Sequence, residues 1–165
     1  MAIEINQDAF ERCVRLHGTA VYRVAWAHSL SKSESDDVFQ ETFIALWRSG
    51  KRFESEEHIR RWLLKVASYK SKDALRAASR RAQGCSLLEK GVAECIAAPE
   101  EESADAEVWS VVACLPEDMR VVVVMHYGEG YSTEEIADMC GCAHATVRTR
   151  LFRARRKLRN ILEEK

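Results

Sequence analysis

The chain has 165 residues, 47% hydrophobic and 31% charged, with seven glycines and two prolines. That length holds one ordinary domain or two small ones, and the scarcity of helix breakers without sustained apolar–polar alternation predicts an all-α protein. The formal net charge of −1 conceals segregation: residues 51–81 carry ten Lys/Arg and four Asp/Glu, residues 89–107 seven acids and one lysine, and residues 144–162 seven Lys/Arg and no acid. Two cationic blocks around an acidic spacer suggest two polyanion-facing modules on one chain. Residues 1–8 lack the cationic start and apolar core of a secretory signal, and no apolar run is long enough to span a bilayer. The expectation is a cytoplasmic protein without membrane insertion.

The first helix is expected from Asn6 or Gln7 to Ala27, with Phe10, Val14, Leu16, Val21, Val24 and Ala25 apolar and Gly18 a weak point. A break at residues 31–33 follows. Ser33 is a candidate cap for a second helix, whose Glu34, Asp36 and Asp37 suit the positive end of the dipole. That helix places Val38, Phe39, Phe43, Leu46 and Trp47 on an apolar face and ends near Ser49-Gly50. Ser55 opens a third helix with Ile59, Trp62, Leu63, Val66 and Ala67. A fourth helix, or a continuation after a bend at residues 68–71, carries Ala74, Leu75, Ala77 and Ala78 to Arg81. From residue 82 to about 104 the pattern degrades into a linker, in which residues 86–96 could form transient helix. Two helices follow, at 106–114 and 117–127, and the β-branched run 121–124 is read as buried helix.

The last third is the most informative. Ser132 and Glu135 have the spacing of a capping box, and Gly141 suits a left-handed turn between helices. From His144, Val147, Leu151, Ala154, Leu158 and Ile161/Leu162 recur at helical spacing as one apolar stripe. The other faces carry Arg148, Arg150, Arg153, Arg155, Arg156, Lys157 and Arg159. A capped helix, a tight turn and a purely cationic helix predict a helix-turn-helix that offers its second helix to DNA.

Upstream, Arg60, Arg61, Lys65, Lys70, Lys72, Arg76, Arg80 and Arg81 are interspersed with Trp62 and Tyr69. Cations track a nucleic-acid backbone, and rings accept unstacked bases. Trp62 is in phase with the core, so Tyr69 is the better candidate to touch a base. The polar face of the second helix, with Asp36, Asp37, Gln40, Glu41 and Arg48, reads by itself as solvated surface. Asp73 is the only acid between His58 and Arg81, so no carboxylate cluster supports catalysis. Six cysteines, at 13, 85, 95, 114, 140 and 142, form no metal array; Cys140-Gly-Cys142 has the wrong spacing for a zinc knuckle, and all six are expected to be reduced thiols. No cofactor, metal or catalytic residue is expected.

In order and spacing, these features resemble the extracytoplasmic-function (ECF) class of bacterial RNA polymerase sigma factors. The resemblance is carried by S-D-D-V-F-Q-E-T-F-I-A-L-W at 35–47, I-R-R-W-L-L-K-V-A at 59–67 and D-A-L-R at 73–76. In the second module it is carried by Leu115-Pro116, Arg120, G-Y-S-T-E-E-I-A at 130–137, Gly141 and T-V-R-T-R-L-F-R-A-R at 146–155. It implies two helical domains: a polymerase-binding and minus-ten domain at 1–83 and a four-helix domain with the helix-turn-helix at 106–165, joined by an acidic linker at 84–105. The linker would thread toward the polymerase active-site and RNA-exit channels.

The resemblance also implies roles. Asp36, Asp37, Gln40, Glu41, Ile44 and Arg48 would dock on the clamp helices of the polymerase largest subunit, with the flap a further contact. Arg61, Lys65, Tyr69, Lys70, Lys72, Arg76 and Arg80 would melt and read the minus-ten element. Ser132, Thr133, His144, Ala145, Thr146, Arg148, Thr149, Arg150 and Arg153 would read the minus-thirty-five element. The partners implied are core RNA polymerase, promoter DNA and an anti-sigma factor. Three departures stand out. Tyr69 occupies a position where the family often has asparagine. Ala143-His144-Ala145 replaces a frequent Ser-x-Gly, which predicts a frayed helix start unless phosphate orders it. His144 brings a titratable group to that start and is expected to be solvated. The competing reading is a stand-alone helix-turn-helix regulator, which would bind a duplex site without polymerase.

Overall fold

The computed structural model describes residues 1–29, 31–82 and 106–164. The expected linker at 84–105, and Cys85 and Cys95 within it, lie outside the described residues.

Side-chain caps set the starts of the first three helices. Asn6 accepts from the Ala9 amide at 2.9 Å and opens α1, Gln7–His28. Ser31 accepts from the Glu34 amide at 3.2 Å and opens α2, Lys32–Arg48. The cap is therefore Ser31 and not Ser33, which lies within the first turn. Ser55 accepts from the His58 amide at 3.1 Å, ahead of α3, Glu56–Ala82. Two short strands, β1 (Ile3–Glu4) and β2 (Arg52–Phe53), pair antiparallel with Ile3 opposite Phe53. They are a small addition to an otherwise helical fold and seat the buried Phe53 beneath α3. Val21, Val24, Phe43, Leu46, Ile59, Leu63 and Leu64 fill the core of this three-helix module.

Three residues of the expected apolar faces are instead exposed: Leu16 at 59%, Trp47 at 53% and, near the C-terminal end, Leu162 at 60%. Gly18 does not interrupt α1; the Phe39 ring lies 3.7 Å from where a Cβ would sit. Helix α3 is also continuous, without a bend at 68–71. Ser68 and Ser71 are buried, not solvated, because the second module packs on this part of α3.

The second module comprises α4 (Ala106–Val112), α5 (Glu117–Val123), α6 (Thr133–Cys140) and α7 (His144–Glu163). Helix α5 runs into a π-helical turn at Val124–Gly128, where the Glu129 amide reaches back to the Val124 carbonyl at 3.0 Å. Leu115, Met125, Ile136, Met139, Val147 and Leu151 form its core. The capping box at Ser132 is complete: Ser132 Oγ accepts from the Glu135 amide at 3.2 Å, and the Ser132 amide donates to Glu135 Oε2 at 2.9 Å. These bonds hold the Glu135 carboxyl below its ordinary range. Gly141 has φ 65°, as the turn requires. Cys13, Cys140 and Cys142 are free thiols, but Cys114 is disulfide-bonded, which corrects the expectation of six reduced cysteines.

The two modules pack against each other. Arg120 is buried on α5 and donates from Nε to the Ala27 carbonyl at 2.7 Å and from Nη2 to the Ser29 carbonyl at 3.4 Å. It thereby takes up acceptors left open at the C-terminal end of α1. Trp26 meets Trp109 edge-on at 5.9 Å. His28, nearly fully buried, hydrogen-bonds Glu117 Oε1 and Ser68 Oγ, each at 2.7 Å.

Candidate nucleic-acid interface

Helix α2 presents Asp36, Asp37, Gln40, Glu41, Ile44 and Arg48 to solvent. Residues 37, 40, 41, 44 and 48 recur at three- and four-residue intervals, so they share one face. Ile44 is 46% exposed, and the Trp47 ring stands near it, edge-on to Phe10 at 5.4 Å. Sequence reasoning placed Trp47 in the core because it continues the stripe of Phe43 and Leu46. Only the neighbouring Phe10 ring shows that it lies at the stripe's edge.

Because α3 is unbroken, residues 61, 65, 69, 72, 76 and 80 form a single stripe along it, at four- and three-residue spacing. Six of the seven expected minus-ten residues are on this stripe: Arg61, Lys65, Tyr69, Lys72, Arg76 and Arg80. Lys70 lies off it. The stripe faces α6. Arg61 lies 3.9 Å from Glu135 and Lys65 lies 3.7 Å from Asp138. Lys72 donates to the Cys140 carbonyl. The Tyr69 hydroxyl sits 3.1 Å from where a Cβ on Gly141 would be. Beyond this, Arg76 pairs with Asp73 at 3.6 Å, and Arg80 is exposed.

Just upstream on α3, Arg60 and Arg23 of α1 clamp Glu129 from the second module, at 2.6 and 3.4 Å. The Glu129 side chain keeps only 4% of its surface in solvent. Tyr131 adds a bond to Glu57 at 3.1 Å, with the Arg60 guanidinium over its ring at 5.4 Å. Burial pushes the Tyr131 phenol well above its ordinary range, so it remains a donor.

On α7, Ala145, Arg148, Thr149 and Arg153 face solvent, together with Arg155, Arg156, Lys157 and Arg159. Arg150 turns inward, 3.9 Å from Asp118. Thr146 is half-buried. Ser132 is committed to its cap, and Thr133 Oγ1 is 2.6 Å from His144 Nε2. His144 is thus tied to the first helix of the motif, and the expectation of a solvated ring gives way to that contact. Ala143 supplies no side-chain cap, yet α7 is helical from His144, with the Ala143 carbonyl accepting from Thr146 and Val147 at 3.0 and 3.3 Å. The His144–Thr133 contact anchors the start that the missing cap leaves weak.

Comparison with known proteins accounts for both modules. Sigma-70 region 2 matches residues 13–81, and Sigma-70, region 4 matches residues 105–158. The chain is 31% identical over 146 residues to the ECF RNA polymerase sigma-E factor of Haemophilus influenzae, covering 81% of this chain and 77% of that one. It is 32% identical over 169 residues to the RNA polymerase sigma factor CnrH of Cupriavidus metallidurans, covering 96% and 88%. The fold matches the Bartonella quintana sigma factor RpoE, solved with the anti-sigma factor NepR, with a TM-score of 0.72 at 23% identity, covering 93% of this chain and 96% of that one. Nothing in these likenesses supports a stand-alone regulator. With regions 2 and 4 in order on one chain, the protein belongs to the sigma-70 family and is an ECF-class sigma factor, which binds core RNA polymerase and directs promoter-specific initiation.

Proposed function

We propose a division of that activity among three helix faces. The α2 face, with Asp36, Asp37, Gln40, Glu41, Ile44 and Arg48, docks on the clamp helices of the polymerase largest subunit, and Trp47 extends it as a half-exposed apolar anchor. The α3 stripe, with Arg61, Lys65, Tyr69, Lys72, Arg76 and Arg80 and with Lys70 beside it, captures the melted minus-ten strand. The outer face of α7, with Ala145, Arg148, Thr149 and Arg153, reads the minus-thirty-five element in the major groove; Arg150 and Thr146 border it, while Ser132, Thr133 and His144 buttress it. The working units are 1–83 and 106–165 with 84–105 as the linker, and region 4 also meets the polymerase flap. The protein catalyses no covalent step, acts in the cytoplasm, and is held in check by an anti-sigma factor, as the Bartonella sigma factor is bound by one. Among the described residues, no helix is long and apolar enough to cross a membrane.

The observation that carries this reading is the stripe on α3: cations and a half-exposed tyrosine in one phase over five helical turns suit the backbone and unstacked bases of a single strand. Photocrosslinking from position 69 in the polymerase–promoter complex tests it. Adducts on the non-template strand of the melted minus-ten region are expected; adducts confined to protein would remove Tyr69 from the reading surface.

A further inference from the structure

At the turn of the helix-turn-helix, sulfur atoms from separate segments lie together. Cys140 ends α6, Cys142 follows Gly141 in the turn, and Met125 belongs to the π-helical turn after α5. We propose that Cys140, Cys142 and Met125 form a binding site for a soft cation of low coordination number, monovalent copper being the ion whose chemistry fits.

The donor geometry carries the proposal. The Cys140 thiol donates to the Met125 thioether, with 3.6 Å between the sulfurs. A metal–sulfur bond of about 2.3 Å places two sulfurs of a trigonal set about 4 Å apart, so only a small shift admits an ion between them. The Cys142 thiol is close enough to Cys140 for the two to interact electrostatically. Both cysteines line one cavity of about 290 Å³ between α3, α5 and the α6–α7 turn, which gives the ion a way in. Met125 is fully buried in the core of the second module. The Cys142 amide donates to the Ala137 carbonyl at 3.1 Å, which fixes the backbone of the turn that presents the second thiol.

The donors also select the ion. Thiolate and thioether sulfurs are soft and suit Cu(I). Structural zinc takes four ligands, drawn from Cys, His and carboxylates. Among the described residues, no group of three His, Cys, Asp or Glu side chains is placed to hold it. His28 lines the same cavity, but its two ring nitrogens are engaged by Glu117 and Ser68. Two thiolates on Cu(I) leave one negative charge. Lys72, Arg76 and Arg150 around the cavity outnumber Glu117 and Asp118 and offset that charge. Burial pushes the Cys140 thiol above its ordinary value, while Ser68, Lys72 and Arg150 oppose the shift. Uptake is ligand exchange without electron transfer: both thiols release their protons as Cu(I) enters. The three donors come from the π-turn, the end of α6 and the turn before α7, so a bound ion ties the base of the helix-turn-helix together. Such π-turns are frequent at functional sites.

The test uses the full chain carrying Cys13→Ser, Cys85→Ser, Cys95→Ser and Cys114→Ser, so that only Cys140 and Cys142 remain as thiols. Cu(I) is titrated anaerobically in competition with bicinchoninate, a coloured Cu(I) chelator. The proposal expects one Cu(I) per chain, a shell of three sulfurs in copper K-edge absorption, and a rise in Tm on loading. Cys142→Ser, at a half-buried position, should weaken binding by roughly a hundredfold, and Met125→Leu, which keeps the core volume, by about tenfold. Circular dichroism checks that both variants are folded. No binding, or binding unchanged by Cys142→Ser, would overturn the site. Unchanged affinity and an unchanged sulfur count in Met125→Leu would overturn it as well. In the otherwise unaltered, reduced chain, Cys142→Ser is expected to remove one equivalent of tightly held Cu(I); loss of none would contradict the proposal independently of the four serine substitutions.

Discussion

Single side chains decide how firmly the start of α7 is held. Ala143 leaves the start of α7 without a side-chain cap, and the His144–Thr133 contact is its substitute. Ala143→Ser is expected to raise stability by about 1 kcal/mol, the usual worth of an N-cap, read as a rise in Tm. Arg148 is exposed on the outer face of α7. Arg148→Ala should weaken binding to promoter duplex and reduce the salt slope of the affinity by about one if it neutralises one phosphate. An unchanged slope with relaxed discrimination at one base pair would make it a base reader instead. At this scale much was legible in the sequence. The Ser132/Glu135 box and the Gly141 turn form as their spacing predicts, because both are set by residues within a few positions of each other. Ser31 was passed over for Ser33 because both serines fit the cap pattern, and only the backbone geometry chooses between them. The contact between His144 and Thr133 crosses the turn and has no periodic signature.

At the scale of elements, α3 does the most work. Its inward face, with Ile59, Leu63, Leu64 and Ala67, belongs to the core of the first module, and another face carries the cationic stripe from Arg61 to Arg80. The expected bend at 68–71 is absent; Ser68 is satisfied by His28 and covered by α6. The sequence contains the stripe, but its single phase emerges only once the helix is known to be continuous. The π-turn after α5 was not legible either, since one extra residue per turn leaves no compositional mark. Between α6 and α7, Gly141 serves two ends: its positive φ makes the turn, and its lack of a side chain leaves room for the Tyr69 hydroxyl. Gly141→Ala should cost about 1 kcal/mol or more of stability, because alanine strains at this φ, and should also loosen α6 from α3. Hydrogen exchange of the α6 amides checks the second effect; unchanged protection there would show that the turn and the interface are independent.

The whole molecule is two modules latched by groups far apart in sequence. Glu129 finds Arg60 and Arg23, and Arg120 reaches the end of α1. No local pattern announces such pairings, so each domain was readable while their mutual arrangement was not. The latch is also sensitive to acid. His28 faces Glu117 and Arg120 from α5 and Ser68 and Lys72 from α3. Burial, which Lys72 and Arg120 reinforce, lowers its pKa from the ordinary 6.5 despite the Glu117 carboxylate. The ring is thus neutral in the closed form, with Nδ1–H donating to Glu117 and Nε2 accepting from Ser68. Burial is the largest single influence and by itself would raise the Glu117 carboxyl, but the bond from His28 and the nearby charges of Arg120 and Arg150 together outweigh it and hold the pKa low. Both shifts have the same sign for stability. A group whose folded pKa is depressed contributes fully above its unfolded value and less as pH falls toward the folded one. The latch should therefore be firm at neutral pH and weaken below about 6.5 as His28 is protonated, with the Glu117 contribution lost only in stronger acid. Carbodiimide crosslinking of Lys65 to Asp138, compared at pH 7.5 and 5.5 in the unaltered chain and in His28→Gln, reads this directly. A yield with the same pH dependence in both would place the sensitivity elsewhere.

The central claim is that the exposed face of α2 carries this sigma factor onto polymerase, and that the face is open even while the modules are latched. Its most direct test is fluorescence anisotropy of the labelled full chain titrated with bacterial core RNA polymerase, beside the Gln40→Ala/Glu41→Ala variant. The account predicts tight binding by the unaltered chain and a loss of at least tenfold in the variant, with circular dichroism unchanged because both side chains point outward. Equal affinity of the two proteins would contradict it and would move the polymerase-docking surface off α2.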